Sequence, residues 1–289
     1  MTKRELDITV ILTAFKRIDI LQKQIDAIRN QTVKPRQILL FQDRIPSQYQ
    51  IVLNKEMISQ FDSVYIAKEN EGVWGRFRFA EQAGCEYVCI FDDDTVPGSR
   101  WLENCYRQMK KKEGIYGTIG IVLARNTRYP DGGYYSVGWR CPNAVTREVD
   151  FAGHSWFLKK EWIAYMFEGT EKYQELKYAG EDMCLSFSCQ KHGIKTYVPP
   201  HPEKNQEYWG AEPEISSVAG SSIEALSRSG NDNKMRAAVQ MMIHDGWETI
   251  SEHNLNYVKE ISRIDRKYYA KYLLRKAVIS FSIFKNRNS

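Results

Sequence analysis

Short apolar runs rich in β-branched residues alternate with stretches of helical period through the first third of the chain. That alternation restricts the fold more than any other feature. Residues 8–13 (ITVILT) are almost wholly apolar, as in a strand buried on both faces. In the following RIDILQKQIDAIRNQT, Ile18, Leu21, Ile25 and Ile28 recur at steps of three and four, so they line one face of a helix. The pattern repeats with a strand at 37–42 (QILLFQ), a helix over 48–60, a strand at 64–67 (VYIA), a helix over 74–84 and a strand at 86–91 (EYVCIF). Strands alternating with helices predict an α/β protein whose central sheet is mostly parallel and wound with right-handed crossovers. At 289 residues, 43% of them apolar, the chain suffices for one large domain, or one domain with an appendage.

Beyond Arg100 the pattern changes. A helix carries Leu102, Cys105 and Met109 on one side, and 115–160, richer in Gly, Tyr and Trp, reads as short strands and loops. A helix starts near Glu181 and stops at Gly193, and the strand KTYVPP follows. Residues 203–234 have little periodicity and many Ser, Gly and Asn, which predicts either a lid, with Lys204 or Arg228 as a ligand contact, or a disordered connector. In the tail, Ile261, Ile264, Tyr268, Tyr272 and Leu273 fall at helical spacing. Residues 256–289 hold nine Lys or Arg against two Asp or Glu, while the net charge of the whole chain is only +5. This basic amphipathic helix, 251–289, either packs on the domain with a solvated basic face or lies on an anionic membrane surface, helped by Phe281, Ile283 and Phe284. Nucleic acid is not expected as a partner. The six cysteines form no CxxC pair and no zinc spacing, and read as buried thiols in a reducing compartment. Without a signal-peptide core or a spanning apolar run, the expected location is cytoplasmic, with the tail peripheral on the inner membrane face.

The fourth strand ends in CIFDDDTVPG (89–98). Three consecutive carboxylates repel one another, and in an open parallel sheet they stand at the carboxyl edge, where ligands bind. Asp92 and Asp94 point to one side of a continued strand and Asp93 to the other. Two carboxylates so placed hold a hard divalent cation such as Mg²⁺ or Mn²⁺, whose shell substrate phosphates complete. A polar strand exit is the plainer reading of the same letters. Asp92-x-Asp94-x-Val96 also fits the nucleophile motif of haloacid-dehalogenase-like phosphatases, although that motif normally ends the first strand of its domain, and here three strand–helix units precede it.

Several segments together resemble the nucleotide-sugar-dependent glycosyltransferases of the GT-A fold, most of all family 2. These are ITVILTAFKR (8–17), with Ala14 where Pro is usual, QILLFQDR (37–44), NEGVWGRFRFAEQAG (70–84), FDDDTVPG, FAGHSWFLKK (151–160), GEDMCLSFSCQKHG (180–193) and YVPPHP (197–202). The likeness covers about 1–202. It implies a GT-A domain over 1–250, with a nucleotide-sugar half at 1–97, an acceptor half at 98–202 and the lid candidate at 203–234. It further implies that Asp92 and Asp94 hold Mn²⁺ or Mg²⁺, with His201 completing the shell. Thr13, Ala14, Arg17, Asp43, Asn70, Arg76, Asp92 and Asp93 would contact the donor, Asp43 at the uracil or ribose and Arg76 at a phosphate. Asp182 would be the general base of an inverting reaction, although Glu181 and Asp182 also suit a helix start. Trp156 and Trp209 are either sugar-stacking rings or core. The function so implied is metal-dependent transfer of a sugar from a nucleotide donor, UDP-linked, to the hydroxyl of a glycan or a lipid-linked acceptor. The phosphatase with Asp92 as nucleophile, and a sugar-nucleotide-binding module without turnover, are the alternatives. A nicotinamide enzyme is not expected, because no GxGxxG follows the first strand.

Overall fold

The computed structural model describes residues 4–46, 53–212 and 232–287, with side chains to 274. Its strands are β1 (Glu5–Ala14), β2 (Lys34–Gln42), β3 (Ser63–Ile66), β4 (Tyr87–Phe91), β5 (Ile115–Leu123), β6 (Tyr134–Gly138), β7 (Arg147–Val149), β8 (Phe151–Lys159) and β9 (Thr196–Val198). Its helices are α1 (Ile18–Arg29), α2 (Lys55–Ile58), α3 (Gly75–Ala80), α4 (Trp101–Met109), α5 (Glu171–Gln174), α6 (Glu181–Gln190), α7 (Asp232–His244), α8 (Ile250–His253) and α9 (Leu255–Arg287).

All these strands form one sheet in the order β3-β2-β1-β4-β8-β5-β9-β7, with β6 added on β5. The first four strands are parallel to their neighbours. From β4 onward the sheet is mixed, because β8 runs antiparallel to both β4 and β5. The chain builds outward from β1 to β3 and then returns past β1 to lay down β4. The carboxyl ends of β1 and β4 therefore flank a topological switch point, where open α/β sheets bind ligands.

The predicted helical face of α1 is the buried one: Leu21, Ile25 and Ile28 are sealed in the core. α4 likewise buries Leu102, Cys105 and Met109. β1 and β4 are buried along nearly their full length, as strands covered on both faces must be. The helix expected over 48–60 is α2 alone among the described residues, and 74–84 contains the shorter α3 after a 3₁₀ turn at Gly72–Trp74. The region read as short strands and loops instead supplies two nine-residue strands, β5 and β8, at the middle of the sheet.

The C-terminal helix first docks and then continues. Val258 and Ile261 are buried in a cluster with Val137, Val149 and Val198. Tyr257 donates to the Glu148 carbonyl at 2.7 Å, and Arg147 pairs with Glu260 at 2.8 Å. Farther along, Tyr269, Leu273 and Leu274 are exposed. The side chains of Phe281, Ile283 and Phe284, the span 213–231 of the expected lid and Arg228 within it lie outside the described residues. Among the described residues, no helix is long and apolar enough to cross a membrane. All six cysteines are buried free thiols.

Candidate active site

β4 ends at Phe91, and its three carboxylates turn into a cavity of about 290 Å³ at the switch point. β1 contributes Thr13 and the turn after it Phe15, Lys16 and Arg17, β8 contributes Gly153, His154 and Trp156, and the start of α6 contributes Glu181 and Asp182. Gly180, at φ +90°, makes the sharp turn that starts α6, and a Cβ there would also meet the Ala238 Cβ at 2.9 Å.

Charge is unbalanced in this cavity. Arg17 Nη1 lies 2.8 Å from Asp93 Oδ1 and 3.0 Å from Asp94 Oδ2. Arg76 Nη2 lies 3.0 Å from Asp92 Oδ1 and 2.8 Å from Glu181 Oε1, its guanidinium 5.0 Å over the Trp156 ring. Two guanidiniums and Lys16 thus line the cavity with the carboxyl groups of Asp43, Asp92, Asp93, Asp94, Glu181 and Asp182. Burial and the neighbouring acids push several of these upward. Asp93 rises to about 6 through burial, against the pull of Arg17. Glu181 rises to about 8 through burial and then Asp182, with Arg76 opposing. Asp182 rises to about 6 through burial, although its Oδ1 accepts from the Met183 N–H at 2.8 Å. Asp92 is also raised by burial. Asp94 goes the other way: burial opposes ionisation, but His154, Arg17 and Thr95 together hold it below the usual carboxylate range. An excess of acid with too few cations is a site that a further positive charge would stabilise.

Asp92, Asp94 and His154 each offer a ligand atom, all within 4.8 Å of one another. His154 Nδ1 is buried, makes no hydrogen bond among the described residues and sits 3.8 Å from Asp94 Oδ1. Its backbone, at φ +68°, lies in the left-handed region, and its carbonyl accepts from the Asp92 N–H at 3.0 Å. The backbone is therefore bent to bring this imidazole to the carboxylates. Burial works against a charged His154, but Asp94, Asp92 and Asp182 outweigh it and raise its pKa. Two carboxylate oxygens and one imidazole nitrogen fit a divalent ion.

His201, expected to complete that shell, is placed elsewhere. It is fully buried, its Nδ1 2.8 Å from the Pro199 carbonyl and its Nε2 accepting from the Gly210 N–H at 3.2 Å. Its ring packs on Trp101 and Trp209, and burial lowers its pKa to about 4. With both ring nitrogens occupied inside the protein, it has no lone pair to offer a metal.

The remaining expected positions divide. Thr13, Arg17, Asp43, Asn70, Arg76, Asp92, Asp93, Asp94 and Asp182 all line the cavity. Thr13 Oγ1 is buried without a hydrogen-bond partner. Ala14 does not line the cavity, but its carbonyl accepts from the Asp43 N–H at 3.1 Å. Asp43 Oδ1 accepts from the Arg44 and Glu71 N–H groups, both at 2.8 Å. Asn70 Oδ1 accepts from the Gly72 N–H at 3.0 Å. Gly72 is required here: its φ is +69°, and a Cβ would stand 2.1 Å from the Lys177 carbonyl oxygen. Trp156 lines the cavity with its indole N–H donated to Ala152, whereas Trp209 is core, donating to Pro202. Lys204 is exposed and outside the cavity lining. His154 was legible only as part of the FAGHSWFLKK segment. A lone histidine after a glycine gives no sign, in sequence, of the backbone turn that aims it.

The profile described as "Glycosyl transferase family 2" matches residues 9–164. No curated protein sequence matches the chain. Among solved structures, the crystal structure of S. aureus TarS matches at 15% sequence identity and a TM-score of 0.45, covering 67% of this chain and 35% of that chain. The family match takes in more than half of the sequence, including β1, the Asp92–Asp94 turn and the His154 strand, and the chain belongs to glycosyl transferase family 2.

Proposed function

We propose that the chain transfers a sugar from a nucleotide-sugar donor, UDP-linked, to a hydroxyl acceptor with inversion, and that a divalent ion supports the reaction. The observation that carries this reading is the convergence of Asp92, Asp94, His154 and Asp182 in one cavity at the β1/β4 switch point. Residues 1–97 form the donor half and 98–202 the acceptor half of a domain reaching about residue 250, and the tail beyond Leu274 rests on anionic lipid.

Asp92, Asp94 and His154 would hold Mn²⁺ or Mg²⁺, which when bound offsets the charge that develops on the departing diphosphate. Thr13 Oγ1, Asp43 and Asn70 stand where the nucleoside half would lie. Arg76 and Arg17 fix the carboxylates, so their first role is positioning rather than direct phosphate contact. Asp182 takes the acceptor proton as the acceptor oxygen attacks the anomeric carbon and the bond from that carbon to the diphosphate oxygen breaks. The stacked Arg76 and Trp156, both buried, keep water from the side of the cavity where Asp92 and Glu181 pair with Arg76.

The test is Asp182→Asn, which keeps the size and loses the base. Donor binding should persist while kcat falls by about 10²–10⁴. Near-normal turnover in a folded variant would remove Asp182 from the mechanism.

A further inference from the structure

A second cleft, of about 290 Å³, lies between β6 and α9 and is lined by Tyr134, Ser136, Arg140, Asp265, Tyr269 and Tyr272. Tyr269 and Tyr272, one helical turn apart, stack with ring centroids 6.4 Å apart and planes at 28°. The Arg140 guanidinium sits 6.0 Å over Tyr272 and 5.6 Å over Trp139. Asp265 Oδ1 accepts from the Ser136 N–H at 3.2 Å, which ties the helix to the strand and fixes the cleft's width.

The cleft is connected to the reacting centre by single aromatic rings. Trp139, the neighbour of Arg140, lies with its ring 5.9 Å from His154. Its φ of +34° is unusual for a bulky residue, and its indole N–H is buried with no hydrogen-bond partner among the described residues. On the other side, the Tyr134 ring is 5.0 Å from Tyr129. The Tyr129 ring is in turn 5.3 Å from that of Phe151, the first residue of the strand that carries Gly153 and His154.

We infer that this cleft is an acceptor subsite that holds a sugar ring of an oligosaccharide, one residue removed from the hydroxyl that reacts. The inference rests on the transferase reading above and specifies its acceptor as carbohydrate. Pyranose rings present an apolar C–H face and a rim of hydroxyls. Paired tyrosine faces suit the first, and a carboxylate beside a guanidinium suits the second. An anionic lipid headgroup would meet Asp265 at the cleft wall, which is the wrong charge for it. The buried indole N–H of Trp139, without a partner among the described residues, lies between the cleft and His154.

The experiment uses the full chain and a set of defined trisaccharides of hexose, N-acetylhexosamine and uronate, read by saturation-transfer NMR, with calorimetry of Mn²⁺–UDP as the donor-side control. At least one trisaccharide should receive saturation from the protein. Tyr272→Ala and Arg140→Ala should each weaken it at least fivefold, Tyr272→Phe should retain it, and Mn²⁺–UDP affinity should stay within twofold. With a nucleotide sugar added, Tyr272→Ala should raise KM for that trisaccharide at least fivefold with kcat unchanged. The inference is overturned if no trisaccharide binds, or if binding survives both alanine changes. It is also overturned if those changes abolish binding to phosphatidylglycerol vesicles while no sugar binds, for the cleft is then a lipid site. Cleft binding of a trisaccharide with no nucleotide sugar consumed would uphold the carbohydrate chemistry and refute the transferase reading.

Discussion

At the scale of single residues, the site is governed by how few cations face its acids. Arg76 is shared between Asp92 and Glu181, and Arg17 between Asp93 and Asp94, and among the described residues Asp182 has no direct ion pair. Burial then pushes Asp182 up to about 6. A general base must be ionised to work, and a raised carboxyl loses its charge at higher pH than an ordinary one. The acid limb of kcat/KM should therefore lie above the ~3.9 of a free aspartate, and at or below the value of about 6 that Asp182 has without the cation, since a bound ion draws it down. A profile flat down to the ~3.9 of a free aspartate, at saturating metal, would contradict that role. The acids were legible because DDD and ED are written in the sequence. The third metal-ligand candidate was not, because His154 depends on a left-handed backbone residue and His201 on a burial that no local letter announces.

At the scale of elements, the expected GT-A class is present as a sheet flanked by helices with a C-terminal helical extension, and its first half was the readable half. β1, α1, β2 and β4 follow from hydrophobic period because their apolar residues are the buried ones, whereas β3 is largely exposed. β5 and β8 were hidden by composition. A Cβ on Gly120 would approach Val149 Cγ1 to 2.4 Å, and one on Gly117 would approach the Ala152 Cβ to 2.4 Å. These glycines make room for the partner strands, so they read as loop residues while serving the sheet's centre.

Asp150, between β7 and β8, joins this half to the C-terminal helices. Its Oδ2 accepts from the Leu123 N–H at 2.6 Å and its Oδ1 from the Ile250 N–H at 2.7 Å. Burial pushes its pKa up to about 7. The folded value lies above the unfolded ~3.9, so the folded chain keeps a proton that the unfolded chain releases. The associated stability is complete below pH ~4 and is lost as pH rises through about 7, by at most about 1.4 kcal/mol per unit. In urea unfolding at pH 5 and pH 7, the wild type should lose stability relative to Asp150→Asn, whose amide does not titrate. Parallel losses in both proteins would remove Asp150 as the cause.

At the scale of the whole molecule, the tail is packed over its first turns and exposed farther along. Its first turns close the hydrophobic cluster around Val137, Val149 and Val198, so cutting the chain at residue 256 would unseat Val258 and Ile261. At about 1.5–3 kcal/mol for each buried aliphatic side chain, that loss would destabilise the domain itself. Removing 275–289 instead spares those contacts. That shorter truncation should leave the melting temperature within about 2 °C and weaken binding to phosphatidylglycerol vesicles at least tenfold, more so at low salt. Unchanged vesicle binding would leave the basic tail without a membrane role.

The central claim is that Asp92, Asp94 and His154 together hold the ion on which the donor diphosphate docks. Titration of Mn²⁺ into the full chain with saturating UDP, followed by electron paramagnetic resonance, measures it directly. The account predicts one tight site, weakened at least about tenfold by His154→Ala and abolished when Asp92 and Asp94 are both alanine. Wild-type Mn²⁺ affinity in those variants, or UDP affinity unchanged by excess chelator, would contradict it.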